Sequence, residues 1–462
     1  MSDTAPVTLP PVKRRNAELT ILGVALGISL FAYISAGLAL NGSVPPGLFG
    51  YGLTFCGLSL ATHFAMRWLA PYADPLILPC AVFLNGLGLA MVWRLNQGEA
   101  GDHAGVGTQL IWTALGQVVC LAILFFLKEP RHLQRYPYLL AAGAIFLLLL
   151  PVVPGLGIER FGAQRWIGFG GFTLQPSEFA KIALVLFLSG YLVQKRDVLS
   201  LASRRLLRIG PVTLLTLPRM RDMGPMVVGW SISILILVAT TDLGTSLMLF
   251  GTFLAMIYVA TQRSSWVIIG LTLFMGGATL AWFLFSHIQL RANIWLNAFD
   301  DELMNSDSHQ LVQGLFAMAE GGLLGTGLGS GSPDTIFAAD SDFILVSFAE
   351  ELGLTGLMAI LLVIFLLVER GLRVALASRE LFAKMVATGL SFLIAFQVFV
   401  VLGGVSRVIP LTGMTTPFMS AGGTSLLASW VIVAILLRLS DNARKPAPVA
   451  IQNEGMTQVI SR

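Results

Sequence analysis

Charged residues are scarce in this sequence, and cysteine is almost absent. Only 12% of the 462 residues are Asp, Glu, Lys or Arg, whereas 55% are hydrophobic. This balance argues against a water-soluble globular domain. The three cysteines, Cys56, Cys80 and Cys120, all lie within apolar runs. They are therefore predicted to be buried packing residues, with no support for a disulfide framework or a cysteine metal site.

Apolar runs of about 18–25 residues, the length needed to cross a bilayer, recur along most of the chain. They predict an all-α polytopic membrane protein with about twelve transmembrane helices. The spans are expected at 19–40, 47–69, 75–94, 107–127, 136–153, 178–194, 224–240, 243–261, 266–286, 343–368, 384–406 and 424–439. The first run lacks the cleavage pattern of a signal peptide, so we interpret it as a retained span.

The positions of Lys and Arg predict the orientation. Four connections that lie on the same side are rich in Lys and Arg, namely 128–135, 195–221, 369–384 and 438–445, whereas the long connection 291–342, on the opposite side, is acidic. Because basic connections stay on the inner side, both termini are predicted to be cytoplasmic and the protein to cross the cytoplasmic membrane several times. Contact with anionic membrane lipids explains the basic stretch at 195–223 better than a nucleic-acid patch does, so no nucleic-acid partner is expected.

One polar connection, from Arg291 to Asp342, is far longer than the others. Its acidic residues are Asp300, Asp301, Glu302, Asp307, Glu320, Asp334, Asp340 and Asp342, against the single basic Arg291. Composition alone favours a solvated loop, although loops positioned by rigid helices often carry chemistry. Within it, 310–320 predicts a short amphipathic helix at the membrane surface. The glycine-rich 322–331 lacks the strand that precedes a phosphate-binding loop, so we interpret it as flexible backbone.

A few charged residues fall within or beside the predicted spans, where charge is costly and needs a partner or a function. Glu178 and Lys181 are three residues apart, so they share a helix face and can pair or bind a headgroup. Asp242 can cap the helix that follows it or face a polar cavity. Glu350 and Glu351 lie eight or nine residues after Asp342, which is about 12 Å from the start of their predicted helix. We expect a buried polar network there, with Lys181 as the candidate partner.

The stretch from Arg407 to Trp430 contains helix-breaking and small polar residues where a span should enter. Non-helical backbone at membrane depth is tolerated only where it is buried in protein or lines a watery cavity. This stretch therefore predicts the wall of a cavity that opens outward. The residues expected to form it are Pro410, Gly413, Pro417, Ser420, Gly422 and Gly423.

Five segments, in this order, resemble the SEDS proteins (shape, elongation, division and sporulation). They are RWIGFGGFTLQPSEFAK, TDLGTS, the acidic loop with HQLVQGLFAMAEGGLLGTGLG, DFILVSFAEELGLTG and RVIPLTGMTTPFMSAGGTSLL. The resemblance implies a peptidoglycan glycosyltransferase that joins lipid II units outside the cytoplasmic membrane together with a class B penicillin-binding protein. The N-terminal extension and GGVSRVIPLTG resemble the elongation (RodA-like) branch of actinobacterial type; the division (FtsW-like) branch is the alternative.

The resemblance also implies a domain organisation. The family core has about ten spans, so the surplus helices lie at the N-terminus. The predicted divisions are a cytoplasmic tail at 1–17, N-terminal membrane helices at 18–130, a catalytic membrane core at 131–440 with an extracellular loop at 287–342, and a cytoplasmic tail at 441–462.

The resemblance further implies the site residues. The family's loop begins W-L-D-P or W-N-P and continues to a second Asp; here Asn297 and Ala298 replace the first Asp and the Pro, and the second position aligns with Asp301. Asp301 is predicted as the general base for the acceptor sugar hydroxyl, with Asp300 as its substitute. The predicted substrate-binding residues are Arg165, Trp166, Glu178, Lys181, Asp242, Arg291, Gln310, Gln313, Asp342, Glu351, Arg407, Thr416 and Ser420.

The leaving group of this reaction, a lipid-linked diphosphate, needs positive charge. Arginine or lysine side chains and helix N-termini can supply it, and a divalent cation such as Mg²⁺ or Mn²⁺ is the open alternative. His309 has no second His or Cys at ligand spacing, so no protein metal site is predicted.

A lipid II flippase or transporter and a non-catalytic scaffold for a penicillin-binding protein are the other function classes. Transporters usually contain structural repeats with interrupted helices at matching positions. The helix-breaking residues at 407–423 have no clear counterpart in the first half of this sequence, which argues against a transporter.

Overall fold

The computed structural model describes residues 13–45, 47–97, 105–160, 163–169, 172–201, 203–209, 212–218 and 220–446. Most of these residues are helical. The helices are α1 (Arg15–Asn41), α2 (Leu53–Leu69), α3 (Ile77–Leu95), α4 (Val106–Phe126), α5 (Pro137–Leu149), α6 (Ser177–Leu201), α7 (Met220–Ala239), α8 (Leu243–Thr261), α9 (Ser264–Leu284), α10 (Ser286–Leu296), α11 (Asp301–Met304), α12 (His309–Gly321), α13 (Ile344–Ala377), α14 (Leu381–Val405) and α15 (Gly423–Arg444). Most of the predicted tails, 1–12 and 447–462, lies outside the described residues.

In the described part of the chain, ten helices are long and apolar enough to cross a membrane. They are α1, α2 with the π-helical turn before it, α3, α4, α6, α8, α9, α13, α14 and α15. Two shorter apolar helices, at 137–152 and 227–238, belong to α5 and α7. These helices occupy the positions of the predicted spans, so the prediction of a polytopic helical membrane protein is confirmed.

Two small antiparallel sheets lie between the helices and were not predicted. β1 (Gly157–Arg160), β2 (Ala163–Phe169) and β3 (Phe172–Leu174) form a meander before α6. β4 (Ser203–Ile209) and β5 (Val212–Pro218) form a hairpin between α6 and α7. The all-α prediction is therefore correct for the spans and incomplete for the connections, because strands of three to seven residues give little signal beside long apolar runs.

The centre of the bundle is formed by α3 and α15. Their most apolar 18-residue windows are 94% and 83% buried, whereas α1 packs outside α3 and α4 packs against α15. Gly116 of α4 allows a close approach to α15, because a Cβ atom there would lie 2.4 Å from the buried indole of Trp430. A small residue at this position thus lets a large aromatic side chain fill the core between two spans.

The glycine-rich loop 322–331 packs on α13 instead of moving freely, which corrects the interpretation as flexible backbone. Thr326 and Gly327 donate backbone hydrogen bonds of 3.0 and 2.9 Å to the carbonyl oxygens of Glu350 and Glu351. In return, the amide of Leu354 donates to the Gly322 carbonyl at 2.9 Å. These bonds form where α13 is interrupted at Gly353, whose φ is 68°. The loop thus occupies backbone groups that the helix leaves unpaired.

Candidate active site

A cavity of about 1490 Å³ opens at the end of the bundle that carries β1–β3 and α10–α12. Strands β2 and β3 and the start of α6 line one part of it. The start of α8, α10, Asp307 with the start of α12, and residues within 334–342 and 411–425 line the rest. The stretch from Arg407 was predicted to wall a cavity, and its residues Gly413, Gly422 and Gly423 do so, whereas the described lining does not include Pro410, Pro417 or Ser420.

Residues from motifs far apart in the sequence meet in this cavity. The predicted site residues that line it are Arg165, Trp166, Glu178, Asp242, Arg291, Gln310 and Asp342. They come from β2, α6, the turn before α8, α10, α12 and the turn before α13. The fold therefore gathers both cationic and carboxylate side chains at one concave surface, which is the usual setting of a binding site.

Asp242 pairs with Arg165 at the wall of the cavity. The Asp242 carboxylate accepts a hydrogen bond from the amide of Thr245 at 3.3 Å and thereby caps α8. It also lies 3.6 Å from an Nη atom of Arg165, so the capping and cavity-facing predictions both hold. The guanidinium of Arg165 lies 5.2 Å from the ring centroid of Trp166. Its buried Nε has no hydrogen-bond partner among the described residues, which leaves this donor for a ligand.

Arg291 places a second guanidinium in the cavity. It donates a hydrogen bond of 2.9 Å to the carbonyl oxygen of Leu411, which fixes α10 on the wall. Burial and, next, the positive charge of Arg165 lower the pKa of Arg291, while Asp242 and Asp342 raise it. Because an arginine stays protonated in proteins, the result is two cations close together in one cavity.

Asp342 is a buried carboxylate in the cavity lining. Burial raises the pKa of Asp342, against the opposing effects of a 2.6 Å hydrogen bond from the Ser341 hydroxyl and of the charge on Arg165. Carboxyl groups held in this way occur more often at functional sites than elsewhere. A role of Asp342 in substrate binding stays a prediction.

Lys181 lies behind the cavity wall and does not pair with Glu350 or Glu351, so that prediction is wrong. Its Nζ lies 2.8 Å from Glu178 on the same face of α6 and 3.4 Å from the side-chain oxygen of Gln397. Two residues one helical turn apart meet without any tertiary arrangement. Lys181 therefore has the nearer of the two partners that the sequence offered.

The two buried glutamates of α13 have partners that sequence reasoning missed. Glu351 accepts a hydrogen bond of 2.6 Å from Nε of Arg94, at the end of α3. Glu350 accepts one of 2.6 Å from the amide of Ser332. The sequence signal for this contact was Arg94 itself, an arginine at the end of an otherwise uncharged span. Such an arginine usually extends its side chain to the membrane surface, so it does not by itself indicate a buried partner. Glu351 therefore has a structural contact rather than a place in the cavity lining.

The predicted base and its substitute lie on the exposed turn that starts α11. Asp300 precedes the helix and Asp301 is its first residue. The described residues that line the cavity do not include either of them. Ser308 closes this turn by donating a hydrogen bond of 2.6 Å to the carbonyl of Ala298, which is fully buried. The loop that carries Asp301 is thus ordered by its own packing beside the cavity.

Arg407 holds the end of α10 instead of lining the cavity. Its guanidinium donates hydrogen bonds of 2.8 and 2.7 Å to the carbonyl oxygens of Trp295 and Leu296, and the Trp295 indole donates back to the Arg407 carbonyl at 3.2 Å. These carbonyls are the ones that the end of a helix leaves unpaired. In this conformation Arg407 positions the backbone five residues before Asp301, and its predicted contact with substrate stays a prediction.

The remaining predicted residues support the walls. Ser420 donates a hydrogen bond of 2.5 Å to the carbonyl of Ser341 and accepts one of 2.7 Å from the amide of Thr416. Gln310 of α12 donates to the carbonyl of Phe337 at 2.7 Å. The Gln313 amide lies 3.0 Å from the ring of His309. These contacts connect the segments 334–342 and 416–420 and α12 around the opening.

A protein metal site needs several acidic, histidine or cysteine side chains close together. Over the described ranges, no group of three or more such side chains is placed to hold a metal ion. The positive charge that the cavity offers comes from Arg165 and Arg291. A divalent cation bound with a substrate diphosphate stays a prediction.

Comparisons with known proteins give consistent matches. The sequence model of the cell cycle protein family of FtsW, RodA and SpoVE matches residues 75–445. "Peptidoglycan glycosyltransferase RodA" of Mycobacterium tuberculosis is 45% identical over an alignment of 466 residues with gaps, which covers 99% of this chain and 98% of the relative. "Stage V sporulation protein E" of Bacillus subtilis is 33% identical over 384 residues, covering 80% of this chain and 98% of the relative.

A solved structure has a similar fold. It is a chain from a peptidoglycan synthase complex that coordinates polymerization and crosslinking, and it superposes with a TM-score of 0.57 at 23% identity. The match covers 86% of this chain and 98% of that chain. The family match begins just before α3, so α1 and α2 lie outside it, whereas the mycobacterial relative also covers these two helices.

Proposed function

Because the chain belongs to the cell cycle protein family of FtsW, RodA and SpoVE, we propose that it is a peptidoglycan glycosyltransferase. Its membership confirms the SEDS resemblance. In this proposal the enzyme polymerises lipid II into glycan strands at the outer face of the cytoplasmic membrane, for cell elongation and shape. The observation that carries it is the cavity that gathers Arg165, Asp242, Arg291 and Asp342, in a chain whose near full-length relatives bear the name peptidoglycan glycosyltransferase RodA.

The proposed reaction joins two lipid-linked sugars. A hydroxyl of the acceptor attacks the anomeric carbon of the donor, the bond from that carbon to the diphosphate oxygen breaks, and undecaprenyl diphosphate leaves with the bonding electrons. The hydroxyl proton passes to a carboxylate, which is the work of a general base. We assign this role to Asp301, with Asp300 beside it. In this proposal the sugars react at the level of α11, beside the cavity, and the diphosphate is held inside it.

The cavity suits a lipid-linked diphosphate. Arg165 and Arg291 supply two fixed cations, and the buried Nε of Arg165 is an unused donor within the described structure. The N-terminus of α15 also faces the cavity at Gly422 and Gly423, and no described side chain caps it. Arginine forks and uncapped helix N-termini both favour phosphate oxygens. Together they support stabilisation of the charge that develops on the leaving group.

Orientation and partner follow from two further observations. The Lys/Arg bias of alternate connections supports cytoplasmic termini, which turns the cavity end outward. The solved neighbour belongs to a complex that couples polymerization to crosslinking, which supports a class B penicillin-binding protein as the partner of this chain.

Purified full-length protein in lipid nanodiscs tests the proposal. It is incubated with fluorescent lipid II, with and without a class B penicillin-binding protein, and the products are separated on a gel. We expect glycan strands in at least one of the two reactions. Failure in both overturns the proposal. In that event, movement of lipid II across liposome membranes indicates a flippase, and its absence leaves the scaffold function.

A further inference from the structure

Arg94 connects three segments at the cavity end of the bundle. It lies in the last turn of α3 and is 2% exposed. Nε donates to Glu351 at 2.6 Å, one Nη donates to Asp334 at 2.9 Å, and the other donates to the carbonyl of Gly331 at 2.5 Å. Each donor thus reaches a different element: α13, the turn at 333–335 and the glycine-rich loop.

The two glutamates of α13 complete the attachment. Glu351 accepts a second hydrogen bond of 3.0 Å from the amide of Gly329, and Glu350 accepts one of 2.6 Å from the amide of Ser332. The approach is close, because a Cβ atom at Gly331 would lie 2.8 Å from a carboxylate oxygen of Glu350. Segment 329–334 is therefore fastened at four residues, Gly329, Gly331, Ser332 and Asp334, to two spans.

The fastened segment leads directly into the cavity wall. Residues 334–338 all line the cavity, and Gln310 of α12 donates to the carbonyl of Phe337 within this wall. Arg94 itself is not one of the described lining residues. Any effect of Arg94 on substrate must therefore pass through the wall that it holds.

We propose that Arg94 is a positioning residue of the glycosyltransferase: it fixes segment 329–338 against α3 and α13 and so sets the width of the cavity that receives the lipid-linked diphosphate. This proposal rests on the proposed function. A planar guanidinium with several fixed donors can hold three acceptors in one geometry, whereas the single ammonium of lysine cannot reproduce that fork. Geometry matters here because a shift of about 1 Å can reduce a rate roughly a hundredfold.

The test uses the full chain with its native cysteines replaced by alanine. Spin labels at Thr335→Cys and Leu290→Cys, both exposed cavity-lining positions, report the width of the cavity. Three variants are compared with the labelled parent: Arg94→Met, Arg94→Lys and the control Arg438→Met. Arg438 is a suitable control because it is also buried and hydrogen-bonded, to the carbonyl of Leu69 at 2.9 Å, and does not belong to the described cavity lining.

For Arg94→Met we expect a shifted or broadened label distance and a kcat/KM for lipid II that is lower by about tenfold or more. Arg94→Lys should be intermediate, and Arg438→Met should lower the melting temperature while leaving both readouts unchanged. If Arg94→Met behaves like Arg438→Met, the role of Arg94 is merely structural and the proposal is overturned.

Two further outcomes are separated by the same measurements. If the unmodified enzyme does not polymerise lipid II, the proposed function fails, while the label distance still decides whether Arg94 positions the wall. If Arg94→Met does not fold, Asp334→Ala removes only the hydrogen bond from Nη of Arg94 to Asp334, at a side chain that is 19% exposed. An unchanged label distance in Asp334→Ala then overturns the proposal.

Discussion

Lys181 and Glu178 form a buried ion pair, 2.8 Å apart, in which Glu178 belongs to the cavity wall and Lys181 lies behind it. Gln397 extends it: its side-chain oxygen lies 3.4 Å from Lys181 and its amide donates to the carbonyl of Thr415 at 2.8 Å. Thr415 lines the cavity, as does Glu178. The pair thus links α6, α14 and the non-helical stretch that begins at Arg407.

Removal of the lysine leaves a buried carboxylate without its cation. Lys181→Met should lower the free energy of unfolding by about 3–5 kcal/mol, measured by thermal unfolding in detergent. Adding Glu178→Gln should recover part of this loss, because it removes the unpaired charge. As the matched control, Glu350→Gln in the same background should recover nothing. Recovery by Glu350→Gln alone contradicts the pairing.

Asp301→Asn keeps the size of the side chain but cannot accept the proton. Polymerisation of lipid II should fall about a hundredfold or more, with membrane insertion and partner binding retained. Asp300→Asn is the control and should have a much smaller effect. The reverse order of effects would assign the base to Asp300. Full activity in the double variant would remove these carboxylates from the mechanism.

Asp342→Asn should stabilise the protein and weaken catalysis. Because burial raises the pKa of Asp342, the folded state disfavours the charged form. Its ionisation therefore reduces stability as the pH rises from the ordinary aspartate pKa, about 3.9, to the raised value, and the penalty is constant above it. Melting temperatures of both proteins between pH 4 and 8 should diverge in favour of the variant as pH increases. Convergence with rising pH contradicts this assignment.

Gly325→Ala should destabilise the glycine-rich loop. The residue has a φ of 83°, and a Cβ atom there would lie 2.3 Å from the carbonyl oxygen of Glu351. The left-handed conformation and the clash together should cost about 2 kcal/mol or more in thermal unfolding. Gly276→Ala on α9 is the control, since a Cβ atom there meets nothing within 4 Å. Equal stability of both variants would contradict the packing of this loop on α13.

The proposed orientation places residues 291–341 outside the cell. A single cysteine at Ser306, an exposed position beside α11, should react with a membrane-impermeant maleimide added to intact spheroplasts. A cysteine at Glu129, exposed in the connection between α4 and α5, should react only after the membrane is opened. The opposite pattern would place the cavity on the cytoplasmic side and exclude polymerisation outside.

Features that depend on neighbouring residues could be predicted from the sequence, whereas contacts between distant parts of the chain could not. The spans were predictable because bilayer thickness fixes the length of an apolar run, and the cap at Asp242 because it acts three residues away. The partners of Glu351 were not, because Arg94 is 257 positions away and only tertiary packing brings them together. The packing of the glycine-rich loop was also not predicted, because its glycines permit a close tertiary contact with α13.

The site was predicted in part. Motif resemblance selected Arg165, Asp242, Arg291 and Asp342, and the fold brings all four to one cavity. It also selected Arg407, whose hydrogen bonds instead go to the end of α10. A sequence motif marks the residues that a site needs, but it does not distinguish those that touch the ligand from those that hold the backbone around it.

Helix α9 has none of its most apolar 18-residue window buried in protein. It is about 31 Å long, close to the thickness of the hydrocarbon layer. It packs on α8 along one side, where Gly270 approaches Leu254, and hydrophobic mismatch with a thinner or thicker bilayer favours a different angle between α9 and α10. Arg291 and Arg407 connect α10 to residues 407–411 by hydrogen bonds. We therefore expect a change of that angle to shift the part of the cavity wall that α10 forms. The thickness of the surrounding bilayer is thus expected to affect the geometry of the cavity.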